Sequence, residues 1–200
     1  MADFNKVLNP GDYEKGELNV VIEIPTGSNH KIEWDRERAC FMLDRVEPIA
    51  FAKPCNYGFI PQTLDEDGDE LDVLMITDQP LTTGIWMKGR ILGVMKFVDD
   101  GEVDDKIICV PDDDRNNGDK YQKLEDLPKR TLEQIEFHFN HYKDLKKPGT
   151  TKVKAFEDAA SAKKVIKDAI ARYEEAHPEV KFAKEAKNFA DNIKSKLEEL

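Results

Sequence analysis

The sequence predicts an α+β fold, a small β-barrel with helices packed outside it. Three observations lead there. Residues 15–111 carry short alternating or apolar runs at close spacing, the pattern of a small all-β barrel or sandwich. After Pro111 the pattern changes to helical periodicity. The chain has 200 residues, 40% of them hydrophobic, which suits one globular domain with its own core.

The elements follow in order. "NVVIEIP" (19–25) alternates, with Val20, Ile22 and Ile24 on one face and Val21 and Glu23 on the other. "TGSN" (26–29) is a turn cluster, and "KIEWD" (31–35) sets Ile32 and Trp34 against Lys31, Glu33 and Asp35. The two runs read as a hairpin. "CFMLDRVEP" is a third strand, and "LDVLMI", "GIWMKGRILGVMKFVD" and "DKIICVP" supply more, with Gly84, Gly89 and Gly93 breaking the longest stretch. Trp34 and Trp86 read as core aromatics, and Asp112–Asp114 as a solvated loop. Residues 131–145 read as a helix capped by Thr131, with Leu132, Ile135, Phe139 and Tyr142 at helical spacing. Residues 161–177 read as a second, with Ala162, Val165, Ile166, Ala169, Ile170 and Tyr173 on one face and Pro178 ending it. A third amphipathic stretch, 180–200, carries Phe182, Phe189, Ile193 and Leu197 and is expected to dock as a helix. The expected organisation is a domain over 1–177 and a helical extension over 178–200.

The formal net charge of −11 and pI near 4.9 oppose binding to nucleic acid or anionic membranes. No apolar run approaches bilayer length. The first residues lack the basic and apolar regions of a signal peptide, so a cytoplasmic location is expected. Cys40, Cys55 and Cys109 are widely spaced with no CxxC pair, which favours small buried residues over a disulfide frame or zinc ribbon.

The chemistry concentrates in "LDEDGDELDVLMI" (64–76). Asp67 and Asp69, two apart, share a side if the backbone is extended, and Asp72 interrupts the apolar pair Leu71 and Val73. Hard oxygen donors converging at a strand end suit Mg²⁺. A calcium loop of EF-hand type fails: counted from Asp65, the sixth position is Glu70 rather than Gly and the twelfth Ile76 rather than Glu. "FVDDGEVDDK" (97–106) forms a second acidic group, with Asp99 closing one strand, Asp104 opening the next, and Lys106 two residues further on. Two such clusters suggest a multi-metal site, because neighbouring carboxylates without cations repel and take up protons. Lys31, Arg45 and Lys106 fall on polar strand faces beside Glu23 and Glu33, and Tyr142 and Lys143 end the first helix. A site mixing carboxylates with Lys and Arg fits a metal-bound, strongly anionic ligand, a phosphate ester or anhydride. His138 and His141, without an HExxH pattern, read as surface or flank histidines.

Taken together these segments resemble the family I (soluble) inorganic pyrophosphatases of bacterial type. The resemblance is carried by "DGDELDV" (67–73), "VVIEIP", "PCNYGFIPQTL", "DDGEVDDK" and "HFNHYKDL", in the family order, over about residues 15–175. It implies a five-stranded OB-like barrel with flanking helices, and Mg²⁺-dependent hydrolysis of pyrophosphate to two phosphates with several ions per site. It also implies a homo-oligomer, of which the hexamer is the usual bacterial form. By position it implies Asp67, Asp72, Asp99, Asp104 and Glu23 as metal-site residues and Asp69 as general base. Lys31, Arg45, Lys106, Tyr142 and Lys143 become phosphate ligands, with Arg45 also counted as catalytic, Tyr57 a catalytic hydrogen-bond partner near the reacting water and Glu33 lining the cavity. Many members carry Tyr where this chain has Lys53. The competing readings are a catalytically inactive metal- or anion-binding relative, an oligonucleotide-binding barrel and an acidic calcium-binding protein. The net charge opposes the second of these and the failed loop spacing the third.

Overall fold

The computed structural model describes residues 3–117, 119–183 and 186. In chain order the main elements are α1 (Phe4–Val7), β1 (Glu17–Ile24), β2 (His30–Asp35), β3 (Cys40–Val46), β4 (Asn56–Phe59), β5 (Asp72–Met75), β6 (Trp86–Asp99), β7 (Glu102–Val103), β8 (Lys106–Pro111), α2 (Lys129–His141), β9 (Thr151–Asp158) and α3 (Ala159–Ala176). β1 pairs with β4 and β6, β4 with β5, β5 with β8, and β8 with β6. Five strands therefore close into a ring, as the α+β barrel expectation has it, and closure removes the exposed edges that an open sheet would present. β7 and β9 extend β6 beyond the ring.

Alternation along the strands sends side chains to different cores. Val73, Met75, Ile107 and Cys109 pack with Ala162, Ile166, Ala169 and Ile170 of α3. The residues between them on the strands, Leu74 and Ile108, pack instead with Ile135 and Phe139 of α2. A third cluster joins Phe4 and Val21 to Trp34 and Phe59, with Trp34 and Phe59 stacked at a centroid distance of 5.4 Å. α3 presents the predicted apolar face and begins where Asp158 Oδ1 accepts the Ser161 N–H at 2.9 Å, a capping bond.

Several expectations are corrected. β1 does not form a hairpin with β2. It is buried on both faces and flanked by β4 and β6, so β2 pairs with β3 in a separate two-stranded sheet. Gly89 and Gly93 do not break β6, which runs unbroken through both. A Cβ at Gly93 would stand 2.3 Å from the Glu157 carbonyl oxygen of β9, so that glycine serves close backbone approach. Trp86, at the start of β6, is 52% exposed rather than core. α2 starts at Lys129 with Pro128 at the capping position, one turn ahead of Thr131, and ends at His141. α3 ends at Ala176, just before Pro178 as expected, and residues 178–183 are helical again, with Pro178 opening that stretch. Most of the 180–200 stretch, including Phe189, Ile193 and Leu197, lies outside the described residues.

A Cβ on Gly58 of β4 would meet the Val21 carbonyl oxygen at 1.9 Å. Backbone cannot yield there without opening the β1–β4 ladder. Gly58→Ala is expected to destabilise by about 3 kcal/mol, a fall in melting temperature of roughly 6–12 °C. Thermal unfolding of the variant within a degree or two of the parent would show that the strands separate freely.

Candidate active site

A cleft of about 260 Å³ opens between the β2–β3 hairpin, the 65–72 segment, the β6–β7 turn and the C-terminal end of α2. Every site residue named from the sequence lines it: Glu23, Lys31, Glu33, Arg45, Tyr57, Asp67, Asp69, Asp72, Asp99, Asp104, Lys106, Tyr142 and Lys143.

The acidic segment is not extended, as its spacing suggested, but folded into a tight loop. Gly68 takes φ +92°, which favours glycine. Asp67 Oδ1 accepts the Asp69 N–H at 3.1 Å, and the Asp69 carbonyl accepts the Asp65 N–H at 2.7 Å. Asp67 and Asp69 therefore stand exposed at a loop tip. Asp72 behaves as its position predicts: Leu71 and Val73 are fully buried while Asp72 turns to the cleft.

The parallel pairing of β5 with β8 places Val73 opposite Ile107, which brings Asp72 beside Lys106. Lys106 Nζ donates to Asp72 Oδ2 and to Asp104 Oδ1, both at 2.6 Å. The Tyr57 hydroxyl donates to the same Asp72 oxygen. Burial pushes the Lys106 pKa down, but attraction to Asp72 and Asp104 outweighs it and holds the ammonium above its ordinary value. Asp104 is raised, by burial first, with Lys106 opposing and Asp72 and Asp99 adding repulsion. Asp99 is positioned by the two-residue Asp100–Gly101 turn, where both residues take positive φ (50° and 96°), the geometry of a tight hairpin. Asp99 accepts the Tyr142 hydroxyl at 2.6 Å and is paired with Lys143, which also reaches Asp100 at 3.0 Å.

Glu23 is buried, and its carboxylate accepts the Trp34 N–H at 2.8 Å, tying β2 to β1. Burial, then Asp72, raises its pKa well above the ordinary value. On the hairpin Lys31 lies opposite Arg45. Lys31 pairs with Glu33 at 2.5 Å, and Arg45 with Asp44 at 2.6 Å and with Glu47.

The structure adds Arg36, which the sequence did not flag, and places Lys53, expected to be peripheral, in the cleft lining. Arg36 engages Asp69, donates through Nε to Glu70 at 3.0 Å and reaches the Gly68 carbonyl at 3.3 Å. It sits in the turn after β2, where periodicity carries no signal. Lys53 holds its ammonium 4.4 Å from the Tyr57 ring centroid. His138 is 7% exposed and lines the cleft, which corrects its surface reading, whereas His141 pairs with Asp144 at 2.8 Å. Among the described residues no three carboxylate, imidazole or thiolate groups stand converged as metal ligands. Lys106, Tyr57, Tyr142, Lys143 and Arg36 engage the carboxylates themselves. The donor chemistry nevertheless fits hard divalent cations, since all the candidates are carboxylates and mutual repulsion helps raise Asp104 and Glu23.

The sequence matches the family described as inorganic pyrophosphatase over residues 20–174. The chain belongs to this family. It is 70% identical over 173 residues to the inorganic pyrophosphatase of Neisseria meningitidis serogroup B, covering 86% of this chain and 98% of that one. To the inorganic pyrophosphatase of Haemophilus influenzae it is 65% identical over 175 residues, covering 88% and 99%. Its fold is similar to the crystal structure of an inorganic pyrophosphatase from Neisseria gonorrhoeae, with TM-score 0.85 and 68% identity over 86% of this chain and 99% of that one. The Thermus thermophilus inorganic pyrophosphatase matches with TM-score 0.77 at 37% identity, over 84% and 97%. Family I pyrophosphatases are metal-dependent, and the carboxylate set is consistent with that.

Burial, reinforced by Lys53, lowers the His138 pKa from 6.5 to about 3. The unfolded chain takes up a proton at this histidine below about pH 6.5 while the native chain does not. The stability His138 confers is thus complete above pH 6.5 and is lost as pH falls from there towards 3. Asp65, raised to about 6 by burial, acts in the opposite sense and favours the native state at low pH. His138→Gln is expected to flatten the decline in unfolding free energy between pH 6.5 and 4, read from urea titrations. An unchanged slope would show that His138 takes up its proton in the folded chain.

Proposed function

We propose that this cleft is the active site in which the chain hydrolyses inorganic pyrophosphate to two orthophosphates, with Asp69 as general base. The observation that carries the reading is the interleaving of the two carboxylate groups with buried and half-buried cations, Lys106 between Asp72 and Asp104 and Lys143 beside Asp99. Such a cleft suits a ligand that brings both negative charge and bound cations.

Asp67, Asp72, Asp99 and Asp104, with Glu23, would hold several Mg²⁺ ions. When bound, these supply positive charge to the carboxylates and the phosphoanion and acidify water. The protein's own groups do the rest. Asp69 accepts the proton of the attacking water, steadied by Arg36, which it already contacts. Tyr57 hydrogen-bonds near that water, and Arg45 neutralises charge as it develops. Lys31, Arg45, Lys106, Tyr142 and Lys143 grip phosphate oxygens in line, which is most of what phosphoryl transfer demands, and Glu33 lines the wall. With those carboxylates holding Mg²⁺, the cations now paired with them would be free to turn to the substrate.

The same reading extends to assembly and place. Ile49 (74% exposed) and Trp86 (52% exposed) leave apolar surface that a homo-oligomer, a hexamer by the habit of bacterial relatives, would cover. No described helix is long and apolar enough to cross a membrane, and the acidic composition fits a cytoplasmic enzyme. Sedimentation of the purified chain tests the assembly.

Phosphate release from pyrophosphate, with and without Mg²⁺, tests the activity, and release that is insensitive to the metal would overturn the metal assignment. Asp69→Asn is expected to lower kcat by ~10²–10⁴-fold. Its side chain is 75% exposed, so the melting temperature should stay near the parent's. Near-normal turnover would remove Asp69 from the base role.

A further inference from the structure

We propose that Lys53 is an additional binding residue for the phosphoanion, held ready by an aromatic cage on the wall of the cleft. The proposal rests on reading that cleft as the pyrophosphate site.

Among the described residues Lys53 is the one lysine or arginine lining the cleft without a carboxylate within ion-pair distance. Lys31 has Glu33, Arg36 has Asp69 and Glu70, Arg45 has Asp44 and Glu47, Lys106 has Asp72 and Asp104, and Lys143 has Asp99 and Asp100. The Lys53 ammonium stands instead 4.4, 5.3 and 5.6 Å from the ring centroids of Tyr57, Phe139 and Tyr142. Those faces attract the charge but accept none of its donors as a carboxylate oxygen would. The two tyrosines send their hydroxyls to Asp72 and Asp99, so Lys53 lies between the two acidic clusters. Its backbone is fixed: its N–H donates to the Ser28 carbonyl at 2.9 Å and its own carbonyl accepts the Gly27 N–H at 2.8 Å.

A second observation points to the same wall. His138 Nε2 is buried without a protein partner, and the ring lines this cleft. A positive charge without a counterion is unsuited to a metal ion and suited to an oxyanion, which His138 can meet as an Nε2–H donor. Burial, then Lys106, holds the Lys53 ammonium down at about 8, a cost that an arriving phosphate oxygen relieves.

Lys53→Met keeps the length and apolar stem and deletes the charge, while Lys53→Arg keeps the charge in the cage. Both are measured as the full chain with Mg²⁺, by steady-state hydrolysis, by calorimetric binding of imidodiphosphate and by thermal melting. Lys53→Met should raise KM for magnesium pyrophosphate by about tenfold, equivalent to about 1.4 kcal/mol, with a smaller fall in kcat. It should weaken imidodiphosphate by the same factor, with Lys53→Arg recovering most of both. Unchanged KM and analogue affinity in Lys53→Met overturn the proposal. So does an equal loss in both variants that tracks a fall in melting temperature, which marks a packing role. A parent chain that binds imidodiphosphate in a Lys53-dependent way yet does not hydrolyse pyrophosphate supports Lys53 and removes the activity reading alone.

Discussion

Lys106 donates at 2.6 Å to Asp72 on the neighbouring strand and at 2.6 Å to Asp104 on its own chain segment, from a position only 2% exposed. The cleft depends on that arrangement. Asp72 and Asp104 stand above an apolar core, and a carboxylate there without a cation would take up a proton or drive the strands apart. The backbone that carries the cation is fixed, because its strand pairs parallel to β5 through Val73 opposite Ile107, both fully buried. Breaking such a buried pair from one side typically costs ~3–5 kcal/mol, since it leaves the partner charge uncompensated. The register of two buried strands and the spacing of two site carboxylates are therefore one constraint.

Around this centre the charges are arranged in pairs, against a background of −11. An enzyme that must admit a highly charged anion needs local cations, yet free cations beside carboxylates collapse onto them. Among the described lysines and arginines that line the cleft, the collapse has occurred at each except Lys53, which aromatic faces hold away from the acidic clusters. On the proposed reading, divalent ions competing for the carboxylates would free the remaining cations, and metal and substrate would then strengthen each other's binding through shared groups.

The site was more legible in the sequence than the barrel that carries it. Asp72 between Leu71 and Val73 states its own orientation, because a period of two leaves no other way to bury both apolar neighbours. Asp100–Gly101 states a tight hairpin and so fixes Asp99 at its end. The partners of β1 were not legible, since a strand buried on both faces has no alternation left to say which neighbour it takes. Gly93 looked like a strand break because close approach of another backbone leaves the same trace as a turn. β9 passed unnoticed although Thr151, Val153 and Ala155 alternate with Lys152 and Lys154, a pattern overshadowed by the stronger helices around it. Arg36 and Lys53 lie in connections, where spacing predicts no direction for a side chain and only the folded chain brings them to the cleft.

The carboxylates differ in how firmly they are held, and that difference fits their proposed parts. Asp72 and Asp99 are strand residues, and Asp104 follows directly after β7, its N–H bonded to the Phe97 carbonyl at 3.0 Å. Groups that fix ions must stand still within fractions of an ångström, and strand ends anchored in two apolar cores provide that. Asp67 and Asp69 sit on a loop tip, but not a loose one: Gly68 sets its bend, Asp67 bonds the Asp69 N–H, and Arg36 clamps Asp69, Glu70 and the Gly68 carbonyl together. Glu70 in turn accepts from Asn5 at 2.8 Å, which ties the loop to α1. A proton acceptor that must meet water from solvent needs exposure, and exposure ordinarily forfeits position. The guanidinium of Arg36 reconciles the two, holding an exposed carboxylate in place with contacts that themselves reach back into the fold.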